Sequence, residues 1–276
     1  MTSQVFVTEA LGAEYGRLLK EILATGEESA PRGQLIRELR PLTVTLLDPR
    51  ACVVKRPGMS RAFMFAEQML LLAGEHDVPL LQRYSSRGAS MLNHYGAYGP
   101  RIRDQLTEVV RELRLDCDSR RAMAYVGRPS DLTYATELNM PCTTSYHFML
   151  RDGRLECVTH MRSWDVVWGL SYDIPNAAQL QMCVAADLEV DLGRLTFVAN
   201  SGHIYERHFG LAVGTTDYRL PSLANAKTGM LDDTARDARK ALLIETLAPG
   251  GKAATGAVLP QWVEPFAAFR RQAERV

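Results

Sequence analysis

Cys142 stands in Met140-Pro141-Cys142, ahead of Arg162-Ser163-Trp164-Asp165 and of Gly169-Leu170-Ser171-Tyr172-Asp173. These positions offer a thiol nucleophile, an arginine able to bind phosphate and a carboxylate able to tell one hydrogen-bonding pattern from another. A thiol attacks as its thiolate, so such a cysteine needs cationic neighbours. Taken alone, a cysteine between a proline and Thr143-Thr144-Ser145, at the entry to a predicted strand, is more often a core residue. Glu67 is the second unusual group. It interrupts Phe65-Ala66-Glu67-Gln68-Met69-Leu70-Leu71-Leu72-Ala73-Gly74, an otherwise apolar helix. Burial there would raise its pKa and suit it to proton transfer, whereas an exposed helix glutamate would carry no such role.

The elements that must position these groups are legible in outline. Leu11, Tyr15, Leu18, Leu19 and Ile22 recur at helical spacing between Thr8 and Thr25, and Gly26 closes the pattern. A polar stretch with proline and arginine follows from Glu27 to Arg40, then a strand over Thr43–Leu47. Helices are predicted from Phe63 to Gly74 and from Ile102 to Leu115. Strands are predicted at Ala122–Val126, Thr144–Leu150, Arg154–His160 and Leu195–Asn200, with Asp152-Gly153 as a hairpin turn. A further helix is predicted from about Pro175 to Asp187, with proline near its first turn, which would make Asp173 a candidate N-cap. The tail after Leu247 is Gly/Ala-rich and ends in a short basic helix. No repeat or low-complexity linker divides the chain, so one α+β domain over residues 1–276 is expected.

Lys+Arg and Asp+Glu are both 32, so no net charge draws the chain to nucleic acid or membrane. The five cysteines lack C-x-x-C spacing, which argues against a disulfide framework or a zinc site, and no metal is expected. No apolar run has membrane-span length and Met1-Thr2-Ser3-Gln4 begins no signal peptide, so a cytoplasmic protein is expected.

The ordered motifs resemble the thymidylate synthase family. Asp118-Ser119-Arg120-Arg121 is similar to its paired-arginine motif, Pro141-Cys142 to its nucleophile turn, and Arg162-Ser163-Trp164-Asp165, Gly169-Leu170 and Asp187-Leu188-Glu189-Val190 to further blocks. Gly202-His203-Ile204-Tyr205 resembles its sugar-binding H-x-Y, and the spacings from Cys142 to Arg162, Asp165 and Asp173 are the family's. The resemblance implies an α+β fold, a mixed β-sheet flanked by helices, packed against its partner in a homodimer. It implies 5,10-methylenetetrahydrofolate as cofactor, a small-molecule nucleotide as substrate, and no membrane or nucleic-acid partner. Cys142 would add to pyrimidine C6, with Glu67 and Tyr98 assisting proton transfer. Arg162 and Ser163 would hold the phosphate and help keep the thiol ionised, with Arg120 and Arg121 donated across the dimer interface. Arg32 in Ala30-Pro31-Arg32-Gly33 is the candidate N-terminal phosphate arginine, with Arg37 and Arg40 as alternatives. His203 and Tyr205, two apart on a strand, would face the sugar together. Asp165 would contact the base with Asp173 and, with Gly169, Tyr172 and Asn139, line the folate and water side.

The family position at 173 is usually asparagine, and here it is Asp173. Asparagine matches the donor and acceptor edge of uracil, whereas an aspartate sharing a proton matches the amino group and N3 of cytosine. This is the pattern of the family's cytidylate and deoxycytidylate 5-hydroxymethylases, which complete the reaction with water where the synthases use hydride. Methylation of dUMP or of a cytidylate is the alternative, and a nucleotide- or RNA-binding relative without turnover is a third reading. Asn139 in place of leucine, Thr143 in place of histidine, and Phe266–Val276 without the usual apolar closing tail fit an altered folate site.

Overall fold

The structure is a computed structural model and describes residues 4–82, 84, 97–132 and 140–220. The expectations for Asn139, for the tail after Leu247 and for Phe266–Val276 lie outside the described residues. The described elements run β1 (Gln4–Thr8), α1 (Leu11–Thr25), β2 (Glu27–Ser29), a 3-10 turn (Pro31–Gly33), β3 (Ile36–Leu39), β4 (Leu42–Leu46), α2 (Arg61–Ala73) and α3 (Val78–Gln82). They continue with α4 (Gly99–Leu115), β5 (Met123–Tyr125), β6 (Thr143–Arg151), β7 (Arg154–Met161), β8 (Trp164–Asp165), α5 (Leu170–Leu188), β9 (Asp191–Ala199) and β10 (Gly202–Tyr205). Six strands form one mixed sheet in the order β1-β4-β9-β7-β6-β5, and four form a second in the order β2-β3-β10-β8. This is the α+β arrangement expected. No described helix is long and apolar enough to cross a membrane.

The six-stranded sheet alternates as a one-sided sheet should. Leu42, Val44 and Leu46 of β4 and Leu195, Phe197 and Ala199 of β9 are buried on one face. Against that face lies α5, which is buried nearly all round and packs on β7, β9, α2 and α4. Helix α1 buries Leu11, Tyr15, Leu18, Leu19 and Ile22, the predicted stripe. Its closing Gly26 is extended (φ −69°), not left-handed, so the glycine is needed for space. A Cβ there would lie 2.4 Å from the Ile22 carbonyl oxygen. Asp152 and Gly153 have φ of 52° and 70°, the doubly left-handed turn that suits the twist of a two-residue hairpin.

Two expectations need correction. The stretch from Glu27 to Arg40 contains two strands, whose cross-strand neighbours Glu28 and Arg37 pair at 2.8 Å. Helix α5 begins at Leu170, so Pro175 is inside it and Asp173 lies in its first turn. Asp173 is therefore not the cap: its N–H donates to the Gly169 carbonyl at 2.8 Å. Proline lacks an N–H, so it leaves the Ser171 carbonyl without its helical donor, while the Pro175 carbonyl accepts from Gln68 Nε2 at 3.0 Å.

Candidate active site

The β6–β7 hairpin explains why Cys142 and Arg162 stand where they do. It turns at Asp152-Gly153 and carries a one-residue bulge between Thr143 and Ser145. That register brings Cys142 opposite Arg162, and the Arg162 N–H donates to the Cys142 carbonyl at 2.9 Å. The guanidinium then wraps the cysteine turn. Nε donates to Pro141 O at 3.0 Å, Nη2 to Met140 O at 2.8 Å, and Nη2 lies 3.8 Å from Cys142 Sγ. Burial pushes the Cys142 thiol up, Arg162 pulls it down, Asp173 and Asp165 push it up further, and Arg32 pulls it down. Arg162 thus acts in the expected direction, but burial outweighs it. Ser163 is half-buried beside it.

Tyr98 opens α4, and its hydroxyl accepts from the Thr143 N–H at 3.3 Å, one residue past the thiol. Helix α4 approaches α2 so closely that a Cβ on Gly99 would lie 2.8 Å from the Leu70 carbonyl. Glu67 stands on that α2 face. Its Oε2 is buried without a hydrogen-bond partner among the described residues, and burial pushes the carboxyl up to about 7, with the Asn176 side chain offsetting part. Glu67, Leu71, Leu81, Tyr98, Asp173 and Asn176 line one cleft.

The turn from β8 into α5 places the remaining carboxylates. Asp165 Oδ1 accepts from the Val167 and Trp168 N–H groups at 2.9 and 3.0 Å, fixing the turn. Trp164, stacked on Phe197 at 4.9 Å, donates from Nε1 to Asp173 Oδ2 at 3.1 Å. Burial pushes the Asp173 carboxyl well above the usual range, the negative charge of Glu67 adds to this, and Trp164 opposes it. Gly169 leaves no room for a side chain. A Cβ would lie 2.8 Å from Asp173 Oδ2 and 2.9 Å from Asp165 O. Tyr172 is turned toward the start of α2, with its ring edge-on to Phe63 at 5.0 Å and its hydroxyl accepting from Ser60 N at 3.2 Å.

The four-stranded sheet supplies the other wall. Parallel pairing of β8 and β10 sets His203 beside Asp165, and the His203 and Tyr205 rings meet edge-on at 5.0 Å. Arg32 sits on the β2–β3 turn in a left-handed conformation (φ 54°), exposed and paired with no described carboxylate. Arg37 is held by Glu28 and the Leu23 carbonyl, and Arg40 by Glu27 and Glu38. Of the three candidates, only Arg32 is left with a guanidinium to offer. Arg120 and Arg121 are not brought to Cys142. The Ala122 carbonyl accepts from Phe148, six residues along β6 from the thiol, which is about 20 Å at strand rise. Arg121 is exposed there and paired with Glu112 at 2.9 Å.

The model of the family described as Thymidylate synthase matches residues 64–232, well over half of the chain. The chain belongs to the thymidylate synthase family. A Bacillus phage SP01 protein named "Deoxyuridylate hydroxymethyltransferase" is 26% identical over 223 residues, covering 72% of this chain and 58% of its own length. A protein of Methanothermobacter thermautotrophicus named "Putative thymidylate synthase" is 31% identical over 211 residues, covering 70% of this chain and 89% of its own. The chain thus spans little more than half the length of the phage relative. Sequence reasoning missed Trp164 as the donor to Asp173, although it stands inside the Arg-Ser-Trp-Asp motif. It missed Asn176 as well, whose only signal was a polar residue one helical turn beyond Asp173.

Proposed function

We propose that this enzyme hydroxymethylates C5 of a cytosine nucleotide, CMP or dCMP, using 5,10-methylenetetrahydrofolate and water. The observation that carries the base assignment is the Asp173 carboxyl, which burial holds toward its neutral form while Trp164 Nε1–H occupies Oδ2. Trp164 marks Oδ2 as an acceptor and leaves the proton to Oδ1. With Oδ1 donating to N3 and Oδ2 also accepting from the 4-amino group, the carboxyl is complementary to cytosine. A uracil in that pose would set O4 against Oδ2 and N3–H against Oδ1–H, and such mispairing discriminates strongly.

Cys142 adds through sulfur to C6, making C5 nucleophilic, and leaves again when C5 has gained its substituent. Arg162, Ser163 and Arg32 hold the phosphate; Asp165 and Asp173 hold the base; His203 and Tyr205 hold the sugar. The buried Glu67 oxygen without a partner and the apolar cleft walls fit the folate, whose methylene supplies the one-carbon unit. Asp165, Gly169, Tyr172 and Asn139 form that side of the site, and Glu67 with Tyr98 takes and returns protons at the base.

A homodimer completes the phosphate site. The outer face of the large sheet carries exposed Val5 and Val7 at its β1 edge and exposed Tyr125 at its β5 edge, two apolar points that a second copy could cover. Arg120 and Arg121, far from their own Cys142, would then reach the partner's phosphate site. Mixing inactive Cys142→Ser with inactive Arg121→Ala chains should restore part of the activity, because one hybrid site is intact. The phage relative's name favours a second reading, in which Oδ1 donates to O4 and the substrate is a uracil nucleotide. Incubation with CMP, dCMP, UMP and dUMP plus methylenetetrahydrofolate separates these by product mass. Formation of dihydrofolate would overturn hydroxymethylation in favour of methylation, and exclusive use of uracil nucleotides would overturn the base assignment.

A further inference from the structure

Behind His203 lies a polar chain with no role in the chemistry above. The β3–β10 register sets His203 opposite Glu38. The buried Glu38 side chain pairs through Oε1 with Arg40 Nε at 3.5 Å and accepts a short hydrogen bond on Oε2 from the Ser201 hydroxyl. Two Ser201 atoms reach His203 Nδ1: Oγ at 3.5 Å and the carbonyl oxygen at 3.4 Å. A carbonyl oxygen only accepts. The single Ser201 hydroxyl hydrogen is directed to Glu38, so Oγ also presents a lone pair to the ring. Nδ1 faces two acceptors and therefore carries the ring hydrogen. Burial of His203 favours its neutral form, which has one N–H, and Nε2 is left as an acceptor.

We propose that Glu38, acting through Ser201, is a positioning residue that fixes the His203 tautomer so that Nε2 accepts a hydrogen bond from a free sugar hydroxyl. This rests on the proposed nucleotide reading, where the hydroxyl is the 3′-OH. An Nε2 acceptor welcomes a hydroxyl hydrogen and repels the oxygens of a phosphate, whereas an Nε2–H donor would attract them. The relay thus selects a free mononucleotide over a 3′-phosphorylated or internal nucleotide of a polymer.

The test has two arms on the full-length enzyme. A long-range 1H–15N spectrum of uniformly labelled protein, with His203→Gln assigning the resonance, should show hydrogen on Nδ1 and a lone pair on Nε2. The reverse pattern overturns the relay whatever the substrate proves to be. In calorimetry, the Glu38→Gln and Ser201→Ala variants should each bind the preferred nucleotide about three- to tenfold more weakly. Binding of its 3′-deoxy analogue should change less than about twofold, since one hydrogen bond has already gone. Equal weakening of both ligands by both variants would mean a merely structural role and overturn the proposal. If none of the four nucleotides binds wild-type enzyme, the nucleotide reading fails while the spectrum still decides the tautomer.

Discussion

Glu67→Gln should stabilise the protein while disabling it, and the stabilisation should depend on pH. The Glu67 carboxyl moves from an ordinary 4.5 to about 7 on folding, chiefly through burial. Between those values the folded state holds a proton that the unfolded chain has released. The folded pKa is the higher one, so stability falls as pH rises through that window and levels off above it. The shift corresponds to about 3 kcal/mol lost between pH 4.5 and neutrality. Glutamine keeps the shape and cannot ionise, so the variant escapes this loss and also relieves the repulsion felt by Asp173. The expected stability difference, variant minus wild type, is larger at pH 8 than at pH 5 by about 2.5 kcal/mol. That is several degrees in melting temperature for a domain of this size. Urea denaturation of both proteins at the two pH values measures it, and groups common to both largely cancel in the difference. At the same time kcat should fall by about 10²- to 10⁴-fold. A stability difference that is the same at pH 5 and pH 8 would refute the assignment of Glu67 as a carboxyl buried at a cost.

Three further substitutions test the geometry around Asp173. Asp173→Asn should move the preference from cytosine toward uracil nucleotides by about 100-fold or more in kcat/KM ratio; competition between CMP and UMP reads it directly. Gly169→Ala places a methyl group 2.8 Å from Asp173 Oδ2 and 2.9 Å from Asp165 O, and should lower kcat about 10- to 100-fold by displacing the Asp173 carboxyl. Its circular dichroism should stay native. Trp164→Phe keeps a ring on Phe197 but removes the donor to Oδ2, so it should relax base selectivity more than it lowers stability, which should drop by about 1 kcal/mol.

The parts of the site legible in the sequence are those set by local rules. Asp152-Gly153 is a hairpin signal on its own, and a hairpin turning there carries Cys142 close to Arg162. The one-residue bulge that completes their alignment has no local signature. Glu67 was recognisable because the helix around it is otherwise apolar, and the structure buries its carboxyl oxygen. Proline favours the first turn of a helix, so the sequence alone places the start of α5 near Pro175, five residues late. The true start follows from packing, where the chain passes Gly169 with no room for a Cβ. Strands β2 and β3 were hidden for a related reason. Their exposed faces are held by charge pairs such as Glu28–Arg37, so hydrophobic alternation, the usual strand signal, is weak there. Contacts such as Trp164 to Asp173 or Ser201 to Glu38 depend on tertiary register, and no spacing rule reveals them.

The thiol shows why more than one arginine is needed. Burial favours the neutral form of Cys142, and Arg162 is the largest opposing influence, with Arg32 contributing in the same sense. A nucleotide phosphate brings about −1.5 to −2 charges to those same two cations. Their charge would then be spent on the phosphate, leaving little to stabilise a thiolate at Cys142. On the proposed covalent reading, turnover needs that thiolate with the phosphate in place, and further positive charge at the site would supply it. Arg120 and Arg121 of a second subunit are the available source on the dimeric reading. The expected outcome is measurable without folate. At fixed pH, saturating inorganic phosphate should slow iodoacetamide alkylation of Cys142 only modestly in the wild type. In the Arg120→Ala/Arg121→Ala variant the slowing should be at least about tenfold greater, the effect of one unit of thiol pKa. Equal slowing in both proteins would place the compensating charge elsewhere and remove the argument for arginines donated between subunits.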